Sequence, residues 1–277
     1  MLQTEMRNAH SMQLDRMTTL EIVRLMNEEN RNSVLAVEKA LPEVAEAAEL
    51  AAEAIAAGHR LVYIGAGTSG RLGVIDAAEC PPTFGVSPET VVGIIAGGPA
   101  RLVRAAENEE DSYEAGAAAV ESLEAGDVLV GVSAAGGARY VVGALEAAKA
   151  RGCKTVALTS NPGTAITKAA DVAIVCETGA EVVTGSTRLK AGNSQKFVLN
   201  MLSTAAMVRT GKVCENLMIN LRPSNEKLRR RVIRITAALL DASEEEAGRI
   251  LEENGWEIRR AVEAGRASAA GKEPYEA

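Results

Sequence analysis

Aromatic residues are scarce in this chain: one Trp, four Tyr and two Phe make up 3% of 277 residues. The interior must therefore be built from Ala, Val, Leu and Ile, and a 47% apolar composition supplies enough of them for a sizeable core. Histidine is nearly absent (His10 and His59), and the four cysteines, Cys80, Cys153, Cys176 and Cys214, stand far apart with no Cys-x-x-Cys. No metal site can be written from such spacing, and free thiols of a reducing compartment are the expected state. No apolar run approaches the roughly 18 residues of a membrane span. The segment Met1 to Asp15 is polar and lacks the apolar stretch of a secretory leader, so a cytoplasmic protein is expected. Positive charge is in the minority: 30 Lys and Arg against 37 Asp and Glu leave a net charge of −7. That balance argues against a general binder of nucleic acid or polyanions, so an anionic ligand has to be held by local donors.

What the chain does have is a distinctive turn. An apolar run, Leu61-Val62-Tyr63-Ile64, breaks into Gly65-Ala66-Gly67-Thr68-Ser69-Gly70-Arg71-Leu72-Gly73 and then enters a helical pattern. Glycines let the backbone turn sharply beside a ligand, and Thr68 and Ser69 add hydroxyls to the free N–H groups of a helix start. Converging donors and the helix dipole suit a phosphate. The pattern fits Gly-x-Gly-x-x-Gly, but the acidic residue expected about 20 positions on in a dinucleotide fold is missing. Val91-Val92-Gly93-Ile94-Ile95 runs instead into Ala96-Gly97-Gly98, and no Gly-Lys-Ser/Thr follows the turn. A monophosphate on a small molecule is the preferred ligand. About two turns further on, Glu79 stands before the helix stop expected at Pro81-Pro82, where a carboxylate can do acid–base work.

Residues 16–57 read as helical, with Thr18-Thr19-Leu20-Glu21 as a cap and a second run from about Val34 to Ala57. Short apolar strands follow near 61–65, 91–95, 128–132, 155–159 and 171–175, separated by segments of helical spacing such as 138–150. The pattern predicts an α/β fold with a doubly wound five-stranded parallel sheet covered on both faces by helices. Ligands in such sheets sit beyond the carboxyl ends of the strands, where 65–69, 133–137 and Ser160-Asn161-Pro162-Gly163 fall. A long helix is expected from about Ala191 to Thr210. After Arg222-Pro223 comes a basic helix containing Lys227-Leu228-Arg229-Arg230-Arg231, read as a solvated face. In the tail, Ser243-Glu244-Glu245-Glu246 is a capping box, Asn254-Gly255 ends the helix it opens, and the apolar pattern resembles a small three-helix ubiquitin-associated (UBA) type bundle.

A second acidic cluster, Glu107-Asn108-Glu109-Glu110-Asp111-Ser112, lies beyond the second strand. It reads either as a solvated turn and helix cap or as the source of a second catalytic carboxylate. Two carboxylates at one phosphate-anchored ligand form an acid–base pair: one takes a carbon-bound proton, the other protonates a leaving oxygen. Spacing alone does not bring Glu79 and Glu110 together.

The turn 65–73, Glu79-Cys80-Pro81-Pro82-Thr83, Glu110-Asp111-Ser112, Val183-Thr184-Gly185-Ser186-Thr187-Arg188-Leu189-Lys190-Ala191-Gly192, Asn225-Glu226-Lys227-Leu228 and Thr4-Glu5-Met6-Arg7-Asn8 resemble the N-acetylmuramic acid 6-phosphate etherases. These are proteins of the sugar-isomerase (SIS) fold class, and the likeness runs in order over about residues 4–265. It implies a cofactor-free carbon–oxygen lyase of peptidoglycan recycling and amino-sugar catabolism. That enzyme cleaves the D-lactyl ether to give N-acetylglucosamine 6-phosphate and D-lactate. By position Glu79 resembles the acid for departing lactate and Glu110 the C2 base. Gly67, Thr68, Ser69, Ser133, Gly136, Ser186, Thr187 and Lys190 become substrate-binding candidates, with a structural ion pair as the other reading of Lys190. The resemblance also implies a homodimer. The expected organisation is an N-terminal helical segment (1–57) packed on the core, an SIS-type sugar-phosphate-binding domain (58–222) and a C-terminal helical region (223–277) with the UBA-like bundle. One departure stands out: where the family has Ala-Ala-Ser-Gly-Arg-Thr-Pro-Tyr, this chain has Ser133-Ala134-Ala135-Gly136-Gly137-Ala138-Arg139-Tyr140. The family's phosphate-holding serine and threonine are thus Ala135 and Ala138. That loss keeps a second reading open, a non-catalytic sugar-phosphate-binding regulator; an aldose–ketose isomerase is third.

Overall fold

The computed structural model describes residues 1–104, 108–221, 223 and 225–270. Glu107 of the acidic cluster and Arg222 before Pro223 lie outside them. Helices α1 (Thr19–Lys39) and α2 (Leu41–Ala56) precede a sheet of β1 (Leu61–Gly65), β2 (Val91–Ile95), β3 (Val128–Val132), β4 (Lys154–Thr159) and β5 (Val172–Val175). Between and after the strands run α3 (Gly67–Phe84), α4 (Tyr113–Ala119), α5 (Arg139–Ala150), α6 (Ala165–Ala169) and α7 (Lys190–Arg209). All four strand pairings are parallel, in the order β2-β1-β3-β4-β5. Every residue of β1 and β3 is buried, as continuous apolar strands between two helical layers must be. The strand order reverses direction between β1 and β3, which leaves a crevice beyond their carboxyl ends.

The core is aliphatic, as the shortage of aromatics requires. On α5, Val141, Ala144, Leu145 and Ala148 recur at helical spacing, and each is fully buried against Val62, Ile64 and Leu129 of the sheet. Burying one such Leu or Val side chain contributes about 1.5–3 kcal/mol.

Thr18 caps α1 as its sequence suggests, with Thr18 and Glu21 in a reciprocal capping box. Two boundaries differ from the sequence-based reading. The first helix does not give way near Val34 but continues to Lys39, and the break falls at Ala40. Pro42 explains the shift: lacking an N–H, it fits only the first turn of a helix, so α2 must start beside it. The third helix passes Pro81 and Pro82 and ends at Phe84, where the Gly85 N–H donates to the Pro81 carbonyl at 2.9 Å with Gly85 at φ 62°.

The described chain divides into two compact units, Met1–Ala78 with Pro88–Ala206, and Glu79–Ser87 with Met207–Ala277. The second contains a short antiparallel pair, β6 (Val213–Cys214) and β7 (Leu217–Met218), and three helices, α8 (Glu226–Leu240), α9 (Glu244–Glu253) and α10 (Ile258–Ala270). Asn225 caps α8 through the Leu228 N–H, and Ser243 caps α9 through the Glu246 N–H. Its own core joins Ile219, Leu221, Val232, Ile235, Leu251, Ile258 and Ala261, and Arg229 lies 3.9 Å over the Trp256 ring.

Candidate active site

A cleft of about 270 Å³ opens at the carboxyl ends of β1 and β3, lined wholly by residues of the first unit. Its first wall is the β1–α3 turn, Ala66 to Ser69. Close packing forces glycine at both ends of that turn. A Cβ on Gly70 would lie 2.4 Å from the Gly65 carbonyl oxygen, and one on Gly65 would lie 2.8 Å from the Gly70 nitrogen. The Gly70 N–H donates back to the Ala66 carbonyl at 3.2 Å. Residues 67–69 therefore begin α3 with N–H groups that have no partner inside the helix, and these face an anion favourably. Ser69 donates its hydroxyl to Gln195 Oε1 at 3.0 Å. Gln195, buried in α7, was not among the sequence candidates, because only the packing of α7 behind the turn brings it there.

The second wall is the β3–α5 loop. Ser133 Oγ accepts the Gly136 N–H at 3.1 Å, closing the loop on itself. Gly136 adopts φ 78°, and a Cβ there would lie 2.3 Å from Thr164 Oγ1, so Gly136 shapes the loop rather than lining the cleft. Ala135 and Ala138 both line it, and as the N-cap of α5, Ala138 offers no side-chain hydrogen bond. Neither cleft-lining position therefore carries a hydroxyl. Glu110 reaches the same cleft because its carbonyl accepts the Tyr140 N–H at 2.9 Å, pinning the segment after β2 to the start of α5. Its neighbour Glu109 is paired instead with Arg101 at 3.1 Å.

The third wall comes from the segment between β5 and α7, through Gly185 and Thr187. Of the expected substrate-binding residues, Gly67, Thr68, Ser69, Ser133 and Thr187 come together around the cleft; Gly136, Ser186 and Lys190 do not line it. Lys190 is 2% exposed and bonded through Nζ to Glu29 Oε2, so it makes the structural ion pair. Glu29 also accepts from Asn8 Nδ2 at 2.8 Å and lies 2.8 Å from His10 Nδ1. Burial works to raise the Glu29 pKa, but the bonds from His10, Lys190 and Asn8 together outweigh it and hold the carboxyl at about 2. Nearby, Glu181 accepts the Lys190 and Ala191 N–H groups at 3.0 and 2.9 Å and so caps α7. Burial pushes its carboxyl above the usual range against those bonds. Glu79 is an exposed residue of the second unit.

No lysine or arginine lines the cleft among the described residues; its polar groups are the hydroxyls of Thr68, Ser69, Ser133 and Thr187 and the carboxylates of Glu5 and Glu110. A ligand held here has its anionic end met by N–H dipoles and hydroxyls, and a carboxylate within the same small volume.

Two family models match: one described as the glucokinase regulatory protein N-terminal SIS domain over residues 43–149, and one described as the SIS domain over residues 106–205. The N-acetylmuramic acid 6-phosphate etherase of Symbiobacterium thermophilum is 51% identical over 262 residues, covering 94% of this chain and 87% of that protein. The etherase of Cronobacter sakazakii is 48% identical over 263 residues, covering 94% and 89%. The chain belongs to the N-acetylmuramic acid 6-phosphate etherase family. Solved structures agree at the level of the etherase fold: phosphoheptose isomerase from Neisseria gonorrhoeae matches with TM-score 0.54 at 22% identity over 68% of this chain and 98% of its own. A protein of Bacteroides fragilis described as a phosphosugar isomerase of capsule formation matches with TM-score 0.53 at 22% identity over 72% and 95%.

Proposed function

We propose that this chain is a carbon–oxygen lyase that cleaves the D-lactyl ether of N-acetylmuramic acid 6-phosphate, giving N-acetylglucosamine 6-phosphate and D-lactate in amino-sugar recycling. The observation that carries this reading is identity near 50% to etherases over 94% of the chain. The cleft at the β1/β3 crevice supports it with a phosphate-type helix start beside Glu110. In the open-chain sugar the C1 aldehyde acidifies the C2 proton. Glu110 takes that proton, the C2–C3 double bond forms, and the C3–O bond breaks with its electron pair leaving on the lactyl oxygen. An acid protonates that oxygen, the role that resemblance gives to Glu79; water then adds at C3 and C2 regains a proton. The phosphate rests on the N–H groups of residues 67–69 with the hydroxyls of Thr68, Ser133 and Thr187, while Ser69, its hydroxyl given to Gln195, braces the turn. A sugar-phosphate-binding regulator is the less favoured reading, since the family relatives named above are etherases.

The enzyme acts as a cytoplasmic homodimer without nucleic acid as partner, and helices α8 to α10 of its C-terminal region form a UBA-like bundle. Exposed Leu20, Val23, Val34 and Leu35 on α1 and Phe197 and Met201 on α7 support the dimer, because apolar side chains in such numbers favour being covered. The test of the activity is D-lactate release from N-acetylmuramic acid 6-phosphate by the wild type and by Glu79→Ala and Glu110→Ala. Release by the wild type and its loss in both variants supports the reading; sugar-phosphate binding without lactate sinks it in favour of the regulator.

A further inference from the structure

The N-terminal segment is fastened at two points, one of them beside the cleft wall. Asn161, at the carboxyl end of β4, accepts the Gln3 N–H at 2.8 Å and donates to both Thr4 Oγ1 and the Ala134 carbonyl, each at 3.1 Å. Thr4 and Asn161 are buried, and Ala134 belongs to the cleft-lining loop, so one side chain couples the segment to the cleft wall. The second fastening is Asn8, which donates to the Ala180 carbonyl at 3.0 Å and to Glu29. Between the two lies Glu5. Its side chain lines the cleft, and a Cβ on Gly185 of the third wall would lie 3.4 Å from Glu5 Oε2. Glu5 has no ion-pair partner among the described residues.

Glu5 is exposed, and its carboxylate beside a phosphate site works against anion binding by Coulomb repulsion unless the ligand uses it. A carboxylate only accepts, so the parts of a ligand it can hold are neutral donors, namely hydroxyls and amide N–H groups. Resting on the sugar-phosphate reading above, we propose that Glu5 is a substrate-contacting residue that accepts hydrogen bonds from the hydroxyl and acetamido N–H donors of the sugar. It selects an amino-sugar phosphate over a bare anion. The N-terminal segment is then a working part of the site, and its two fastenings keep Glu5 aimed.

The experiment compares wild type, Glu5→Gln and Glu5→Ala. It reads kcat and KM for lactate release, inhibition by inorganic phosphate, calorimetric binding of N-acetylglucosamine 6-phosphate and the melting temperature. A hydrogen bond to a charged group is worth about ten- to a hundredfold in affinity. Glu5→Ala is expected to raise KM and the sugar-phosphate Kd by that factor, with Glu5→Gln affected less. Inorganic phosphate should bind both variants as well as or better than the wild type, and melting should be unchanged. Sugar-phosphate Kd within twofold of wild type in Glu5→Ala overturns the proposal. Weakening of sugar phosphate and inorganic phosphate together, with a lowered melting temperature, also overturns it and makes Glu5 a fold anchor. A wild type that binds the sugar phosphate but releases no lactate refutes the etherase reading alone, since the binding comparison still decides on Glu5. A wild type that binds no sugar phosphate refutes both.

Discussion

Replacing Glu29 by Gln leaves the Lys190 ammonium, 2% exposed, without its countercharge. Two overlapping estimates set the order of magnitude. The Glu29 carboxyl is held at about 2 against an ordinary 4.5, a difference worth about 3 kcal/mol at neutral pH. Breaking one partner out of a buried ion pair costs about 3–5 kcal/mol. At about 2–4 °C per kcal/mol for a chain of this size, the melting temperature should fall by roughly 6–12 °C or more. Thermal unfolding followed by circular dichroism at pH 7 reads the loss. The double variant Glu29→Leu/Lys190→Met should recover a good part of it, because it buries no orphaned charge. The pH dependence has a definite sign. A depressed carboxyl stabilises above its unfolded pKa of 4.5 and loses that contribution as pH falls from there towards about 2. The raised carboxyl of Glu181 works the other way, so the wild-type acid loss should be smaller than Glu29 alone would give. A Glu29→Gln protein that melts within 2 °C of wild type, or a double variant as unstable as the two singles combined, would refute the argument.

Three further substitutions probe the cleft walls. Gly70→Ala places a Cβ 2.4 Å from the Gly65 oxygen and should disrupt the β1–α3 turn, whereas Gly137, which has nothing within 4 Å, should accept Ala with activity and melting intact. Comparing lactate release and melting for the pair separates backbone crowding from a general intolerance of the loops. Ala138→Thr supplies the missing side-chain cap of α5 and a hydroxyl at the cleft, so it should raise stability by about 1 kcal/mol and lower KM by up to tenfold. An unchanged KM would mean that this position does not meet the phosphate.

The sheet was readable from the sequence because its strands are short, continuous apolar runs bounded by glycine and polar turns. The five strands lie within a residue or so of the predicted positions. The β1 and β3 ends of the cleft were readable for the same reason, since glycine and hydroxyl clusters mark where such strands stop. Long-range placements were not legible. Nothing local to Glu5 signals that Asn161 holds its segment at the cleft, and nothing local to Gln195 signals that the packing of α7 sets it behind Ser69. Lys190 sits in a motif rich in hydroxyls and charge, and only the tertiary path of α1 shows that Glu29 is opposite it. The helix break at Ala40 was misplaced because Val34 carries an apolar side chain at helical spacing yet is 56% exposed. Apolar periodicity marks an interface between molecules as readily as one within a molecule. Nor does spacing reveal that Glu79 falls in a different compact unit from Glu110.

The most direct test of the central claim is Glu110→Gln, assayed for D-lactate release from N-acetylmuramic acid 6-phosphate and for calorimetric binding of N-acetylglucosamine 6-phosphate. With Glu110 as the C2 base, lactate release should fall by roughly a hundredfold or more while product affinity stays within a few-fold of wild type. Undiminished lactate release by Glu110→Gln would contradict the account, since the cleft would then hold the sugar phosphate without its assigned base.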